Sequence, residues 1–252
     1  MRWVRVSDGG RATWARVEGA GLVAVAGTPW SPGEDLASLP PGLPRLAPAQ
    51  PGKIICVARN YRAHAEELGN QVPGEPLLFL KPPSAVVGPG EPIRLPDGIG
   101  EVHHEAELAL VIGSALDHRA SSEEARQAIF GLTVANDVTA RTIQRTEAKF
   151  TRAKGFDTFC PVGPELLAAA DPLVDRTVSC EVDGERRQEG QTRDMVHDPV
   201  ALVRFIAGCM RLLPGDLVLT GTPSGVGPIE AGQVVTVSVS GVGAFSSPVV
   251  PR

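Results

Sequence analysis

The chain has 252 residues, a formal net charge of −5 at pH 7 and a sequence pI of about 5.6. This length can bury a substantial core, and the net negative charge argues against a nucleic-acid-binding protein. No stretch is long and apolar enough to span a membrane, and the first residues lack the apolar core of a signal peptide, so we expect a cytoplasmic protein without a membrane partner. The four cysteines are widely separated, which indicates neither a zinc motif nor a disulfide framework.

The N-terminal part predicts a small β-rich unit followed by a linker. Residues 1–30 alternate between apolar and polar side chains, as strands do, and Ser31–Gly52 is rich in Pro and Gly. We therefore predict an N-terminal appendage and linker over residues 1–48 and a main domain over residues 49–252.

The first strand of the main domain leads into a candidate catalytic pair. Ile54–Val57 is apolar, and the polar segment after it predicts a loop and a short helix that carries His64 and Glu67. Residues three positions apart share one face of a helix, so the carboxylate can orient the imidazole as a general base requires. Such pairs on surface helices are usually inert, but this one follows a buried strand and the chain's single tyrosine, Tyr61.

Lysine is rare in this chain, since Lys53, Lys81, Lys149 and Lys154 are four of 24 basic residues. A lysine that is kept in an arginine-rich chain is a candidate for a role that needs a compact ammonium group. Lys154 lies in a loop-like stretch, and Lys81 ends an apolar run before two prolines. Either could stabilise an enolate or hold a carboxylate, although a surface position explains Lys81 equally well.

Glu105 and Glu107 stand two residues apart at the start of an apolar run that ends at Ile112. A strand places residues i and i+2 on one face, so the two carboxylates would lie side by side opposite a core-facing row. Their repulsion favours a hard divalent cation as partner, while a solvated edge strand is the alternative. We expect His103 and His104 to occupy supporting or surface positions.

Asp137 is the candidate third carboxylate, because it follows the apolar run that begins at Gly131 and ends at Ala135. We interpret Thr139 as a helix cap, which leaves Asp137 at the carboxyl end of a strand, a common position for functional side chains. On its own, an Asp at this position is more often a turn or cap residue.

Two further segments predict helices in the second half of the chain. Ser121–Glu124 resembles a capping box for a helix that ends near Gly131. Asp198 caps a second helix that stops before Pro214. His197 would then be the polar residue before that cap, and it could alter specificity only if its segment approaches the site.

The C-terminal half otherwise reads as strands. Asp183-Gly184 separates two strand-like runs and predicts a hairpin turn, and Val234–Val239 alternates. Gly221–Gly225 does not place its serine as a nucleophile elbow requires, and no helix or Lys-Ser/Thr follows its glycines as phosphate binding requires. We interpret these glycines as room for a ligand close to the backbone. Together the elements predict a β-rich α+β fold.

Over roughly residues 50–250 the sequence resembles the fumarylacetoacetate hydrolase family. Five motifs in the family's order carry this resemblance: 60–67 with its His-x-x-Glu pair, 103–108 with its Glu-x-Glu strand, 136–141 with the third acidic residue, 153–156 with the lysine, and the glycine-rich loop 219–228.

The resemblance implies a rolled mixed β-sandwich with few helices that dimerises, and a divalent metal, Mg²⁺ or Mn²⁺. It implies that the metal ligands are Glu105, Glu107 and Asp137 and that the catalytic residues are His64, Glu67 and Lys154. We expect substrate contacts from Arg59, Tyr61, Lys81, Gln144 and Thr222, with Thr222 facing a substrate carboxylate. Nearby arginines, Arg59, Arg62, Arg141 and Arg145, could hold a second carboxylate.

Three functions are compatible with these residues. The first hypothesis is an isomerase or decarboxylase of a 2-hydroxydienoate or 2-oxo dicarboxylate in aromatic catabolism, such as 2-hydroxyhepta-2,4-diene-1,7-dioate, acting through a metal-stabilised enolate. The second is a C–C hydrolase of acylpyruvates or fumarylpyruvate, which the His64–Glu67 pair favours because it suits water activation. The third is a metal-stabilised oxo-acid-binding protein, against which the concurrence of His64, Glu67 and Lys154 argues.

Overall fold

The computed structural model describes residues 1–147 and 149–252. Short strands dominate these residues, which confirms the predicted β-rich α+β fold class. The strands are β1 (Arg2–Asp8), β2 (Arg11–Glu18), β3 (Gly21–Thr28), β4 (Ser31–Leu39), β5 (Arg45–Leu46), β6 (Ile54–Ala58), β7 (Leu77–Lys81), β8 (Val86–Val87), β9 (Ile93–Leu95), β10 (Val102–His104), β11 (Ala106–Ile112), β12 (Ile129–Asn136), β13 (Thr139–Ala140), β14 (Cys160–Ala168), β15 (Thr177–Val182), β16 (Glu185–Gln191), β17 (Leu217–Leu219), β18 (Gly227–Pro228), β19 (Val234–Val239) and β20 (Gly243–Pro251). The helices are α1 (Arg62–Glu67), α2 (Ser122–Ala128), α3 (Arg141–Thr146), α4 (Phe150–Lys154) and α5 (Pro199–Cys209), with 3₁₀ turns at Pro83–Ala85 and Thr192–Asp194.

The largest sheet has twelve strands and extends from the N-terminal strands to β7. Its order is β4-β3-β2-β1-β14-β12-β11-β17-β6-β7, with β5 beside β1 and β8 beside β14. Because Arg2 of β1 lies opposite Leu167 of β14, the N-terminal strands continue the sheet that carries the rest of the chain. The domain division at residue 48 stays a prediction.

The predicted linker is partly a strand. Ser31–Leu39 forms β4 and pairs with β3, so the linker prediction is wrong for these residues. Pro32 gave the segment a linker-like composition, but proline is tolerated in an edge strand, where a missing N–H donor breaks no ladder. Most side chains of β4 are exposed, which is why no alternating apolar pattern marked it.

A five-stranded sheet, ordered β16-β15-β19-β20-β9, packs against one face of the large sheet, and β13, β10 and β18 form a small third sheet. The predicted hairpin is confirmed, since Asp183 and Gly184 join β15 to β16 with positive φ angles of 52° and 79°. The predicted alternation over Val234–Val239 is also confirmed, because Val235, Val237 and Val239 are buried.

Strand β11 is buried on both faces. Leu108, Leu110 and Ile112 pack in the core that the five-stranded sheet shares, whereas Ala109 and Val111 pack in a second core on the opposite face. The strand lies between β12 and β17. The alternative of a solvated edge strand is therefore excluded, and the prediction of a single core-facing row is corrected.

The helix predictions hold at their starts. Ser121 and Glu124 form a capping box at α2, which ends at Ala128 because Ile129 already begins β12. The Asp198 side chain caps α5, so His197 is the residue before the cap, as predicted. Its N–H donates to Asn60 Oδ1 at 2.9 Å, which ties α5 to the loop before α1.

One local prediction is corrected. Thr139 is not a helix cap: it belongs to β13, and α3 begins at Arg141 after Ala140. The Thr139 hydroxyl instead donates to the Asp137 carbonyl at 2.8 Å, which fixes the turn that carries Asp137.

Within residues 1–147 and 149–252, no helix is long and apolar enough to cross a membrane.

Candidate active site

Glu105, Glu107 and Asp137 meet where the start of β11 lies beside the end of β12. The two strands are antiparallel, with Ala106 opposite Asn136, and the Asp137 N–H donates to the Glu105 carbonyl at 2.8 Å. One oxygen from each of the three carboxylates lies within 4.8 Å of the others, and all three residues are buried. The structure thus brings the predicted trio together, and such a cluster could bind a metal ion.

Two of these carboxylates have cationic partners. Arg141 Nη2 lies 2.5 Å from Glu105 Oε1, and Lys154 Nζ lies 2.7 Å from Glu105 Oε2 and 2.5 Å from Asp137 Oδ2. Lys81 Nζ lies 2.7 Å from Asp137 Oδ1. Burial alone would raise the pKa of Glu105, but the charges of Lys154 and Arg141 outweigh it and hold that pKa low. Burial would likewise lower the pKa of Lys154, and Asp137 and Glu105 raise it instead.

Glu107 has no cationic hydrogen-bond partner among the described residues. It accepts one hydrogen bond, from the Gly221 N–H at 2.6 Å. Burial, together with the neighbouring Asp137 and Glu105, raises its pKa well above the ordinary value. Its charge is therefore the one that a bound cation would compensate, and three carboxylates form the hard oxygen donor set that divalent cations such as Mg²⁺ prefer. The residues present fit a divalent metal.

His64 and Glu67 lie on α1, as the sequence predicts, with His64 Nδ1 3.4 Å from Glu67 Oε2. The Gly225 N–H also donates to Glu67, at 2.9 Å to Oε1 and 3.2 Å to Oε2, so the glycine-rich loop holds this carboxylate. Burial lowers the pKa of His64, and Glu105 opposes that shift only in part. The imidazole is therefore neutral near pH 7, as a base must be.

Lys154 ends helix α4 rather than lying in a loop, which corrects the expected local structure. Its Nζ lies 4.8 Å from the centre of the Phe79 ring, a favourable distance for a cation–π contact. The ammonium group is thus held between two carboxylates and an aromatic face.

A cavity of about 280 Å³ opens onto these groups. The predicted site residues that line it are His64, Glu105, Glu107, Asp137, Lys154, Arg59, Gln144 and Thr222. Its apolar wall is formed by Val57, Ala58, Leu68, Phe79 and Phe150. Most of the predicted site is therefore brought to one cavity from segments that are far apart in the chain.

Three predicted residues do not line this cavity. Glu67 lies behind His64, and Lys81 is fully buried beneath Asp137. Tyr61 is buried at the start of α1, where its backbone bridges to Met195. The predicted substrate contacts of Tyr61 and Lys81 therefore have no support in this geometry.

The four arginines differ in their surroundings. Arg141 and Arg145 line the cavity, but Arg141 pairs with Glu105 and Arg145 with Glu101. Arg62 does not line it. Arg59 lines the cavity, has no carboxylate partner among the described residues and adopts a left-handed backbone with φ 58°.

Several buried residues support the site without lining the cavity. Asn136 Oδ1 accepts from the Glu105 N–H at 2.9 Å, next to the acidic trio. His103 and His104 are buried rather than exposed, and neither lines the cavity. His104 Nδ1 lies 3.0 Å from Oε1 of Gln188, a residue of β16 that sequence reasoning missed because its polar neighbours resemble a solvated strand.

Residues 53–250 match the family model described as fumarylacetoacetate (FAA) hydrolase C-terminal. The chain belongs to the fumarylacetoacetate hydrolase family. Residues 1–37 match a second model, described as Rv2993c-like, N-terminal. The resemblance predicted from five motifs is confirmed, and so is the family's β-sandwich roll with few helices.

Similar proteins include both curated relatives and solved structures. Protein Rv2993c of Mycobacterium tuberculosis is 47% identical over 210 residues, which cover 82% of this chain and 78% of that protein. Oxaloacetate tautomerase YcgM of Escherichia coli is 43% identical over 196 residues, which cover 75% of this chain and 89% of the tautomerase. The structure of 2-hydroxyhepta-2,4-diene-1,7-dioate isomerase from Mycobacterium marinum has a TM-score of 0.91 and 41% identity, covering 100% of this chain and 99% of that chain.

This member of the fumarylacetoacetate hydrolase family is an enzyme, as its family and named relatives are. That excludes the binding-protein hypothesis. Enzymes of the family depend on a divalent metal, and the buried acidic trio could bind one.

Proposed function

We propose that this enzyme transfers a proton between the enol oxygen and a chain carbon of a 2-oxo or 2-hydroxydienoic dicarboxylic acid, through an enolate. The reactions of oxaloacetate tautomerase and 2-hydroxyhepta-2,4-diene-1,7-dioate isomerase share this step. The observation that carries the proposal is that the buried His64 lines the same cavity as three clustered carboxylates. Burial lowers the pKa of its imidazole, which favours the neutral form that a base needs. A base beside an enolate-stabilising centre is what such a proton transfer requires.

Glu105, Glu107 and Asp137 would hold the metal, which we propose is Mg²⁺ or Mn²⁺. When bound, the metal supplies Lewis-acid stabilisation of the negative charge on the enolate oxygen.

His64 would move the proton through Nε2. Its Nδ1 faces the Glu67 carboxylate, so an Nδ1–H would donate to Glu67 and leave Nε2 free to accept. Glu67 in turn is fixed by the Gly225 N–H, which limits the orientations of the pair. Lys154 stays protonated between Glu105 and Asp137 and would meet negative charge that develops on the substrate.

The cavity supports a small dicarboxylate as the substrate class. Its volume of about 280 Å³ is at the low end for small-molecule sites. We propose that Arg59 binds the substrate carboxylate farther from the metal, because its guanidinium has no carboxylate partner among the described residues and could bind one bidentately.

The predicted homodimer and cytoplasmic location rest on the family resemblance and the sequence, and they stay predictions.

C–C bond hydrolysis of acylpyruvates or fumarylpyruvate is the second candidate function. The His64–Glu67 pair favours it, because a carboxylate-oriented imidazole can activate water as readily as it can move a substrate proton. In that reaction water attacks the distal carbonyl, and the 2-oxo acid enolate leaves.

A substrate panel separates the two candidates. Enol and keto oxaloacetate, 2-hydroxyhepta-2,4-diene-1,7-dioate, fumarylpyruvate and acetylpyruvate would each be assayed by ultraviolet absorbance with Mg²⁺ and with Mn²⁺. We expect kcat/KM to be highest for tautomerisation or isomerisation of a dicarboxylate, with the metal alone as the blank. A clear preference for cleavage of acylpyruvates would favour the hydrolase and reject the proposal.

A further inference from the structure

Gln188 of β16 is a buried polar residue that joins two sheets. Only 1% of it is exposed, and its side chain leaves the five-stranded sheet to reach the start of β11 and the loop after β17. The loop after β17 is part of the glycine-rich loop, residues 219–228. No motif or family resemblance pointed to Gln188, and it does not line the cavity.

The side-chain amide of Gln188 makes all four of its hydrogen bonds. Nε2 donates to Thr222 Oγ1 and to the Pro223 carbonyl, both at 2.8 Å. Oε1 accepts from the Ala106 N–H at 3.0 Å and lies 3.0 Å from His104 Nδ1. Because a carbonyl can only accept and a backbone N–H can only donate, these partners fix the orientation of the amide.

This orientation also fixes the Thr222 hydroxyl. Its oxygen accepts from Gln188, and its one hydrogen is donated to the Ala106 carbonyl at 2.7 Å. The hydroxyl is thus used to attach the glycine-rich loop to β11, so it has no second hydrogen for a substrate carboxylate.

The glycine-rich loop contacts both the acidic trio and the His64–Glu67 pair. Its Gly221 N–H donates to Glu107, and its Gly225 N–H donates to Glu67. The loop also lies directly on β16: a Cβ on Gly225 would stand 2.1 Å from the Arg187 carbonyl, and one on Gly190 would stand 2.5 Å from Pro223 Cβ. Since Gly225 has φ +94°, only glycine fits there without strain.

We propose that Gln188 is a positioning residue that fastens the glycine-rich loop to strand β11 and thereby holds one loop N–H on Glu107 and another on Glu67. One side chain would then fix the relative positions of the Glu107 carboxylate, which binds the metal, and the Glu67 carboxylate, which orients the base. The inference rests on the proposed function for the roles of Glu107 and Glu67, but the attachment of the loop is testable without metal or substrate.

The first test is hydrogen–deuterium exchange of the metal-free protein. Gln188→Met keeps an unbranched side chain of similar length and removes all four hydrogen bonds, and Thr222→Val removes only the hydroxyl. We expect both to accelerate exchange over residues 219–227 by about tenfold or more, because the loop opens more often. Thr222→Ser keeps the hydroxyl and should restore wild-type protection.

Ser179→Ala is the matched control. Ser179 is buried in β15, next to β16, and its hydroxyl bonds only to Ser238, at 2.7 Å, among the described residues. This variant removes a buried hydrogen bond from the same sheet without touching the loop, so its loop exchange should match that of the wild type. The inference is wrong if Gln188→Met exchanges like the wild type, or if Ser179→Ala accelerates the loop equally.

The second test is the Mn²⁺ affinity by titration calorimetry, together with kcat at saturating metal. Loss of an outer hydrogen bond to a metal ligand typically weakens affinity by about 10–100-fold, so we expect this loss for Gln188→Met and none for Ser179→Ala. The Mn²⁺ affinity of the double variant Gln188→Met/Thr222→Val should be little lower than that of either single variant, because both substitutions remove the same attachment of the loop. Additive losses would contradict the inference.

The two tests separate this inference from the proposed function. If the wild type fails to bind Mn²⁺ or to turn over any dicarboxylate while Gln188→Met still frees the loop, the proposed function fails and the attachment stands. If the wild type binds and turns over but Gln188→Met matches it in loop exchange, affinity and kcat, the inference fails alone.

Discussion

Lys81 Nζ lies 2.7 Å from Asp137 Oδ1, and neither side chain is more than marginally exposed. The same ammonium donates to the Val138 carbonyl at 3.2 Å, so it holds the turn after β12 in place. The sequence predicted Lys81 as a substrate contact. In this position the Lys81 ammonium compensates the charge of Asp137, a predicted metal ligand, and Lys81 does not line the cavity.

We therefore expect Lys81→Met to lower the free energy of unfolding markedly and to raise KM only slightly. Removing one partner of a buried ion pair typically destabilises a protein by about 3–5 kcal/mol. We expect a loss at the lower end of this range, because Lys154 still pairs with Asp137 in the variant. Chemical denaturation of the metal-free variant measures this, and added Mg²⁺ should reduce the deficit by compensating Asp137. Arg126→Met is the control: Arg126 pairs with Asp171 and both side chains are exposed, so water can replace the arginine. Equal losses in the two variants would contradict the interpretation.

His64 and Glu67 should act as a unit. Glu67 orients the imidazole and is itself held by Gly225, so removing either side chain disables the same proton transfer. We expect His64→Asn and Glu67→Gln each to lower kcat by about 10²–10⁴, with the double variant little worse. Glu66→Gln, on the same helix but without a hydrogen bond to His64, should leave kcat near the wild-type value. If the losses multiply in the double variant, the residues work separately.

The pH profile should reflect the burial of His64. Burial lowers its pKa below the ordinary 6.5, and the base must be neutral, so kcat/KM should fall as pH decreases through a midpoint below 6.5. Glu67 raises the pKa of His64, so Glu67→Gln should move the midpoint lower still. Rates measured from pH 4 to pH 9 at saturating metal test this. A midpoint at or above 6.5 would mean that another group titrates.

Lys154 should matter most in the transition state. Its ammonium lines the cavity and remains charged, so we expect Lys154→Met to lower kcat and kcat/KM together at saturating metal. Lys149→Met, five residues earlier and exposed, is the matched control and should change neither. A rise in KM with unchanged kcat would assign Lys154 to substrate binding alone.

The acidic trio could be predicted because its signals are local. Two carboxylates at the start of an apolar run and an aspartate at the end of another each mark a strand terminus. The pairing of β11 with β12 could not be read from the sequence, yet it brings those two termini together. Burial of β11 on both faces was missed for the same reason, because it depends on which sheets pack there.

Gln188 and β4 escaped prediction because their local surroundings are misleading. Gln188 stands among four exposed residues of β16, namely Glu185, Arg186, Arg187 and Glu189. It is buried because the start of β11 and the glycine-rich loop both approach it. Strand β4 is an exposed edge with Pro32 in it, so neither composition nor alternation marked it. In both segments the deciding contacts come from residues distant in the chain, which local periodicity does not encode.

Solvent exchange at C3 of oxaloacetate tests the central claim most directly, namely that metal-bound Glu105, Glu107 and Asp137 support proton transfer by His64. In D₂O, proton NMR follows the loss of the C3 hydrogens with chelated enzyme, with Mg²⁺-reloaded enzyme and with Mg²⁺ alone. We predict that chelation abolishes enzymatic exchange, that Mg²⁺ restores it, and that neither Glu107→Gln nor His64→Asn recovers it at the same Mg²⁺ concentration. Exchange by the wild type that survives exhaustive chelation, or full recovery by Glu107→Gln, would contradict the claim.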